Sequence, residues 1–504
     1  MPCTLIIGAV LCGLLNSDIE TITTAMSQGD TSSEELTQFY IVRAEEIDGG
    51  EQGLHCILVH NPNAIADANR LDAQRASGNV KGPLHGVPIL IKDNIETREL
   101  PTTAGSLALA NNRTGRDATI VERLRGAGAV ILGKSNLSEW ANIRSSNSSS
   151  GWSAVGGLTR NPYNRDRTAC GSSSGSGAAV AADLATAAIG TETDGSVTCP
   201  AAMNGLVGLK PTVGLLPRTH IVPISHSQDT AGPMTRTVKD AAIMLTVMAG
   251  SDPLDAASAS ADLHKMDYTD ALDSNALINS RLGVLWFHTD WCSPEQLTAF
   301  EQQLEALRKA GAVLVDIREF PDMETIYTDE MTVLLHELRT DMATYLSSLP
   351  GKDHPRTLND IIAFNRTHAD QEMPHFGQEF FEMAVSTDTA SESEYSEALA
   401  RAHAAAGPNG IDRLVAEHNL TALIAPTTGP AFEITLGEGD AFAGASSTLP
   451  AVAGYPHLTV PAGMVDGLPV GLSFIGPAWS EDRLLALGYA FEQLKQWRIP
   501  PALH

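Results

Sequence analysis

Short apolar runs alternate along the chain with longer segments of helical period. Residues 87–92 (VPILIK), 129–132, 282–286, 312–316, 422–425, 459–460 and 470–475 are apolar, short and bounded by turn residues, which predicts buried strands. Between them lie helices. Ser17 followed by Glu20 reads as a capping box. A second helix starts at Ser32 or Ser33, with Leu36, Phe39, Tyr40, Val42 and Ile47 as its buried stripe. Further helices are expected over 63–76, 117–126, 238–249, 294–310 and 481–496, and residues 320–406 read as mainly helical. Residues 145–152 and 251–280 are polar connections. Helices alternating with buried strands predict an α/β fold. The unbroken succession of elements favours one large domain.

One stretch departs from this pattern. Residues 170–212 hold two small-residue loops, one with Ser172, Ser173 and Ser174, the other with Ser196 behind Thr193-Asp194-Gly195. Between them, residues 178–189 are almost all Ala, Val and Leu. Such a segment has little side-chain reach and must be packed on every side. Glycines in the loops let backbone N–H groups approach a ligand. Hydroxyls on a buried apolar scaffold suggest a nucleophile site.

Composition narrows the partners. The 504 residues are 43% hydrophobic, enough for a large core, and the net charge is −27. A surface that acidic argues against nucleic acid and anionic membranes. The six cysteines (3, 12, 56, 170, 199 and 292) form no C-x-x-C pair and are too sparse for a disulfide scaffold. Cys170 and Cys199 are therefore expected as buried small apolar residues. No H-E-x-x-H occurs either, so neither a metal nor another cofactor is expected. Residues 4–15 form an apolar run of signal length without a basic flank or an A-x-A site. Residues 1–16 are read as a signal or a docked apolar segment, with a cytoplasmic location favoured over export.

Amide hydrolysis needs a nucleophile, a base and oxyanion donors. The turn 193–196 offers a serine preceded by successive backbone N–H groups, although the tetrapeptide alone reads more simply as a glycine turn. No histidine lies near these loops in sequence, and a Ser–His pair stays open because such partners meet only in space. Lys92 has the better context. It ends an apolar strand, where desolvation would lower its pKa and leave it able to accept a proton. Residues 171–175 match G-x-S-x-G formally, but a loop precedes them where a nucleophile elbow needs a strand. No Gly-Lys-Ser/Thr or G-x-G-x-x-G phosphate loop is present.

These residues carry a family resemblance. GSSSGSG at 171–177, GTETDGS at 190–196 and GLKPT at 208–212 resemble the signature of the amidase signature family. HGVPILIKD at 85–93, DTAGPM at 229–234 and GLPVGL at 467–472 fit the same pattern, so the resemblance spans about residues 18–496. It implies a single amidase signature domain over 17–504, with a catalytic core at about 80–250 and a helical substrate side at about 320–406. The implied fold is a mixed, mostly parallel sheet with helices on both faces. It implies Ser196 as nucleophile, Ser172 as a cis-peptide-borne bridge and Lys92 as base. The backbone N–H groups of Thr193, Asp194, Gly195 and Ser196 would form the oxyanion hole.

Most members read TDTGGS where this chain has TETDGS at 191–196. That variant, with RSSNSSSGWS at 144–153, resembles the peptide amidase branch. The implied activity is removal of the C-terminal amide of peptides. Asp194 reads equally as an acceptor that fixes its loop. Ser145, Ser146, Asn147 and Ser173 are expected on the substrate side. The implied partners are a small amide or peptide amide, with no nucleic acid and no membrane, in a monomer or homodimer. The alternatives are the glutaminase-type component of a tRNA-dependent amidotransferase, a fatty amide hydrolase, and a non-catalytic binding protein on the same scaffold.

Overall fold

Seven of the strands form where the apolar runs predict them, and strand side chains alternate between two cores; the strands at 57–60, 187–192, 207–210 and 230–235 lie in segments not read as strands. In the computed structural model, which describes residues 9–320, 323–352, 354–386 and 389–503, eleven strands make one sheet. They are β1 (Ile57–His60), β2 (Pro88–Lys92), β3 (Val130–Ser135), β4 (Ala187–Glu192), β5 (Val207–Lys210), β6 (Thr230–Thr235), β7 (Arg281–Leu285), β8 (Val313–Ile317), β9 (Ala422–Pro426), β10 (His457–Val465) and β11 (Leu468–Ile475). Their order is β1-β3-β2-β4-β6-β5-β10-β11-β9-β7-β8.

The sheet is mixed. Parallel pairs join β3-β2-β4 on one flank and β9-β7-β8 on the other. The mixed sheet is as the resemblance implies, with its parallel pairs confined to those flanks. The middle, from β4 through β6, β5, β10 and β11 to β9, is antiparallel. There β10 and β11 form a hairpin across Asp466 and Gly467, both in left-handed backbone. A turn that short forces antiparallel pairing.

Period-two alternation assigns each strand residue to a face. On β2, Ile89 and Ile91 enter one core with Ile131, Ile189, Leu458 and Phe474. Helices Val238–Met248, Pro294–Lys309 and Glu481–Glu492 cover that face. Leu90 enters the opposite core with Leu132, Ala188 and Met234, under helices Ser33–Ile47 and Ser174–Ala181. Lys92 therefore points to the side of Leu90, toward the helix that begins two residues after Ser172. The small side chains of residues 178–181 let that helix pack with no exposed face.

A further helical layer, Met323–Ser348, Leu358–Thr367 and Glu379–Val385, buries its own core against Trp140, Ile143, Val222 and Ile224. It is the helical region expected over 320–406. Two local readings are corrected. Helix Ile19–Gln28 is capped by Asp18, whose carboxylate accepts the Thr21 N–H at 2.7 Å; a carboxylate acceptor displaces the Ser17 box. Val42 and Ile47 are only half-buried, while Ser32 and Glu35 do form a reciprocal capping box. Within the N-terminal apolar run, the described part includes helix Ala9–Gly13, and Leu11 and Leu15 pack on the second core. The start of that run lies outside the described residues. Among those described, no helix is long and apolar enough to cross a membrane.

Candidate active site

Lys92 ends β2 with no solvent exposure. Its Nζ lies 2.7 Å from Ser172 Oγ, 2.8 Å from Thr191 Oγ1 and 3.2 Å from the Thr191 carbonyl. Asn94 Nδ2 donates to the same Thr191 hydroxyl at 2.9 Å. Burial pulls the lysine pKa down to about 7, against the raising charges of Asp229 and Glu192. Near neutrality a substantial fraction of Lys92 is thus uncharged and able to take a proton.

Ser172 follows a cis peptide bond from Gly171. A Cβ at Gly171 would stand 2.2 Å from Ser138 Oγ, so only glycine fits there. The Ser172 carbonyl accepts the Ser138 N–H at 3.0 Å. Ser173, expected on the substrate side, is fully buried and turned to β4 instead. Its hydroxyl donates to the Thr191 carbonyl at 3.1 Å and accepts the Thr191 N–H at 3.2 Å, clasping the strand that holds the lysine's partner.

Ser196 stands beyond β4. The Ser173 N–H reaches its carbonyl at 3.2 Å, which ties the two serine loops together. The Ser196 hydroxyl makes no hydrogen bond to a described residue, so the link from Ser172 to Ser196 is open in this structure. Catalytic hydrogen bonds of unliganded sites are commonly long and tighten with substrate. None of the backbone N–H groups of Thr193, Asp194, Gly195 and Ser196 donates to a described residue. These four successive N–H groups, with Gly195 in the left-handed region at φ +77°, are thus left without a described partner, an arrangement that could serve an oxyanion.

Three carboxylates fix this turn. Glu192 Oε2 accepts the N–H groups of Val197 and Thr198 at 2.7 and 2.8 Å, anchoring helix Thr198–Met203 behind the serine. Asp194 Oδ2 accepts the Thr448 hydroxyl at 2.7 Å. That is the loop-fixing use of Asp194 read from the sequence. Asp229 accepts the Thr193 hydroxyl at 2.6 Å and the N–H groups of Ile224 and Ser225, and burial raises its pKa to about 6.

The expectation for Cys170 and Cys199 is overturned. They are joined in a disulfide with Cα atoms 6.1 Å apart. The two loops that carry Ser172 and Ser196 converge in space, which a sequence separation of 29 residues hides.

A cavity of about 640 Å³ opens in front of the turn 193–196, and both cysteines lie in its wall. Ser145 and Ser146 line it, as expected. Asn147 is not in the wall; it is exposed and donates its N–H to Ser145 Oγ at 3.1 Å. Thr191 and Asp229 stand within the quoted motifs, but neither they nor Asn94 and Thr448 carry a role in the sequence reading. Each acts through space, and no local spacing signals its contact.

A family model described as Amidase matches residues 35–485. A probable amidase of Arabidopsis thaliana is 40% identical over 494 residues, 96% of this chain and 91% of its own. A glutamyl-tRNA(Gln) amidotransferase component of Salinispora tropica is 35% identical over 491 residues, covering 95% of this chain and 97% of its own. The crystal structure of native peptide amidase from Stenotrophomonas maltophilia superposes with a TM-score of 0.92 at 47% identity, covering 97% of this chain and 99% of that one. A peptide amidase in complex with the competitive inhibitor chymostatin gives 0.94 at 48% identity, with coverage of 97% and 100%.

Proposed function

The chain belongs to the amidase family and hydrolyses amides; from that premise we propose that it removes the C-terminal carboxamide of peptides, releasing ammonia through an acyl-enzyme at Ser196. The observation that carries the reading is the buried, pKa-lowered Lys92 held 2.7 Å from Ser172. The unpaired N–H groups that lead to Ser196 support it, as does the likeness to peptide amidases over 97% of the chain.

In this mechanism neutral Lys92 accepts the Ser172 proton as Ser172 takes the proton of Ser196. The Ser196 oxygen attacks the carboxamide carbon. The carbonyl oxygen becomes an oxyanion facing the N–H groups of 193–196. The relay then returns a proton to the leaving nitrogen, the C–N bond breaks, and ammonia departs. Water attacks the Ser196 ester with the relay again as base, giving the peptide carboxylic acid and free enzyme. Ser145 and Ser146 are polar partners for the peptide at the cavity wall. The domain limits 17–504 belong to this reading, with the core at about 80–250 and the substrate-side helices at about 320–406.

The likeness to glutamyl-tRNA(Gln) amidotransferase components favours a second reading, a glutaminase that works with partner proteins. The net charge of −27 weighs against a tRNA partner. Ammonia release from a peptide amide by the purified chain alone decides between them. Turnover without partner, ATP or tRNA is expected; its absence, with turnover of glutamine after a partner is added, would reverse the reading.

A further inference from the structure

The wall of the substrate cavity has an uneven charge. Asp194 and Asp440 line it, and no Lys, Arg or His side chain of the described residues does. Asp194 sits on the turn beside the nucleophile, its carboxylate held by Thr448 with the Ser447 hydroxyl close by. It keeps part of its surface open to the cavity, yet protein encloses it closely enough that burial pushes its carboxyl upward. Glu330, from helix Met323–Ser348, is buried beside it and takes the Gln228 side-chain amide at 2.9 Å. Burial and the neighbouring Asp194 charge push Glu330 well up. The hydroxyls of Thr448 and Ser447 are donors to Asp194 and favour its charged form against that burial. Asp440, on the segment 436–445, lines the same cavity. Burial pushes its carboxyl upward, and its Oδ1 accepts the Ser150 N–H at 2.9 Å, a bond that favours the charged form. Two residues on, Phe442 lines the same cavity with 46% of its surface exposed, the platform an apolar side chain would meet.

We propose that Asp194 and Asp440 make this cavity an anion-excluding site, so that the enzyme takes peptide amides whose terminal residue is neutral or basic and rejects those with an acidic one. The proposal rests on the peptide amidase reading above and names its substrate class. The physical basis is that charges enclosed by protein are poorly screened, so a second negative charge in the same cavity is repelled by both carboxylates at once. The same field acts on the reaction. A neutral carboxamide becomes a carboxylate on hydrolysis, and the product acquires the charge that the site rejects. The peptide acid leaves readily and competes weakly with its own amide.

Three peptide amides that differ only in the residue bearing the amide test this: lysyl, glutaminyl and glutamyl. The native chain is expected to show kcat/KM for the glutamyl amide at least about tenfold below the glutaminyl amide, and no such penalty for the lysyl amide. Asp440→Asn and Asp194→Asn are each expected to narrow the glutaminyl-to-glutamyl ratio by about threefold or more, and Asp440→Glu to restore it. The ratio is the readout, because a merely structural loss lowers all three rates together. Equal rates on the glutamyl and glutaminyl amides, or a ratio that neither Asn variant moves, would overturn the proposal. Calorimetry on Ser196→Ala reads it without turnover: the peptide amide should bind at least about tenfold more tightly than the peptide acid, and equal affinities overturn it. If no peptide amide is hydrolysed while the amide still binds better than the acid, the reading of the reaction fails and the charge rule stands.

Discussion

Lys92 ends a strand after Ile, Leu and Ile, with its side chain fully buried. Its pKa of about 7 follows from that burial and not from a cationic neighbour. Because the base must be neutral, kcat/KM is expected to rise with pH through about 7 and then level off; a pH–rate profile checks it, and a rise that continues to the ordinary lysine range would show an undepressed amine. Asp229 opposes the shift, so Asp229→Asn should move this limb to lower pH while Thr193 loses its carboxylate partner. Ser196→Ala should abolish turnover and covalent labelling by a fluorophosphonate together. Lys92→Ala should cut kcat by about 10²-fold or more, with the acid limb gone from what remains. The closeness of Lys92 to Ser172 agrees with what the motifs around both implied. Thr191 stands in the motif at 190–196 too, yet its hold on the lysine was not legible, because only the folded strand turns its hydroxyl to Lys92. Ser173 was misplaced for a related reason: in a run of serines, only the backbone decides which hydroxyl faces the cavity and which clasps a strand.

Two joints hold the elements around the site. Glu192 leaves β4 and receives the first N–H groups of helix Thr198–Met203, so strand end, turn and helix start form one rigid unit. Glu192→Ala leaves those buried N–H groups without an acceptor. A loss of about 1–3 kcal/mol is expected in chemical denaturation, together with a fall in kcat that exceeds any rise in KM if the turn supplies the oxyanion donors of the proposed mechanism. The disulfide is the second joint. It closes a loop of 29 residues around both serines, for which chain entropy gives about 3–4 kcal/mol. Cys170→Ala with Cys199→Ala should lower stability by that order, and a dithiol reductant should lower the native chain by more than it lowers the variant. A reductant effect of equal size in both would show that the stabilisation lies elsewhere. Seven strand positions were readable from short apolar runs, since period and burial are local properties; the strands at 57–60, 187–192, 207–210 and 230–235, which are short or rich in Gly, Ala and Thr, were not. The antiparallel middle of the sheet was not, because alternation of helix and strand does not reveal which strands become neighbours. The paired cysteines escaped for the same reason, as their spacing carries no recognised motif.

At the scale of the whole molecule, three parts that are distant in sequence share one cavity. The sheet contributes the turn 193–196, the segment 436–445 contributes Asp440 and Phe442, and the outer helical layer contributes Tyr327, Leu334 and Phe380. The layer reaches the site through a packed link: Trp140 meets Phe381 edge-on at 5.8 Å, and Arg144 lies 4.3 Å from the Phe376 ring while paired with Glu139 at 2.9 Å. A peptide in the cavity therefore touches the sheet and the helical layer at once and should bind only when both are in place. Binding to the native state alone raises stability by RT ln(1 + [L]/Kd), about 2.7 kcal/mol at a hundredfold excess over Kd. Ser196→Ala with a saturating peptide amide should melt higher than the same variant alone, by an amount that grows with ligand concentration. Hydrogen exchange locates the gain. Protection should increase in Met323–Ser348 and Glu379–Val385 as well as around 193–196. Protection confined to the turn would mean that the helical layer roofs the site without contacting the peptide, and Phe380 and Tyr327 would then drop out of substrate selection.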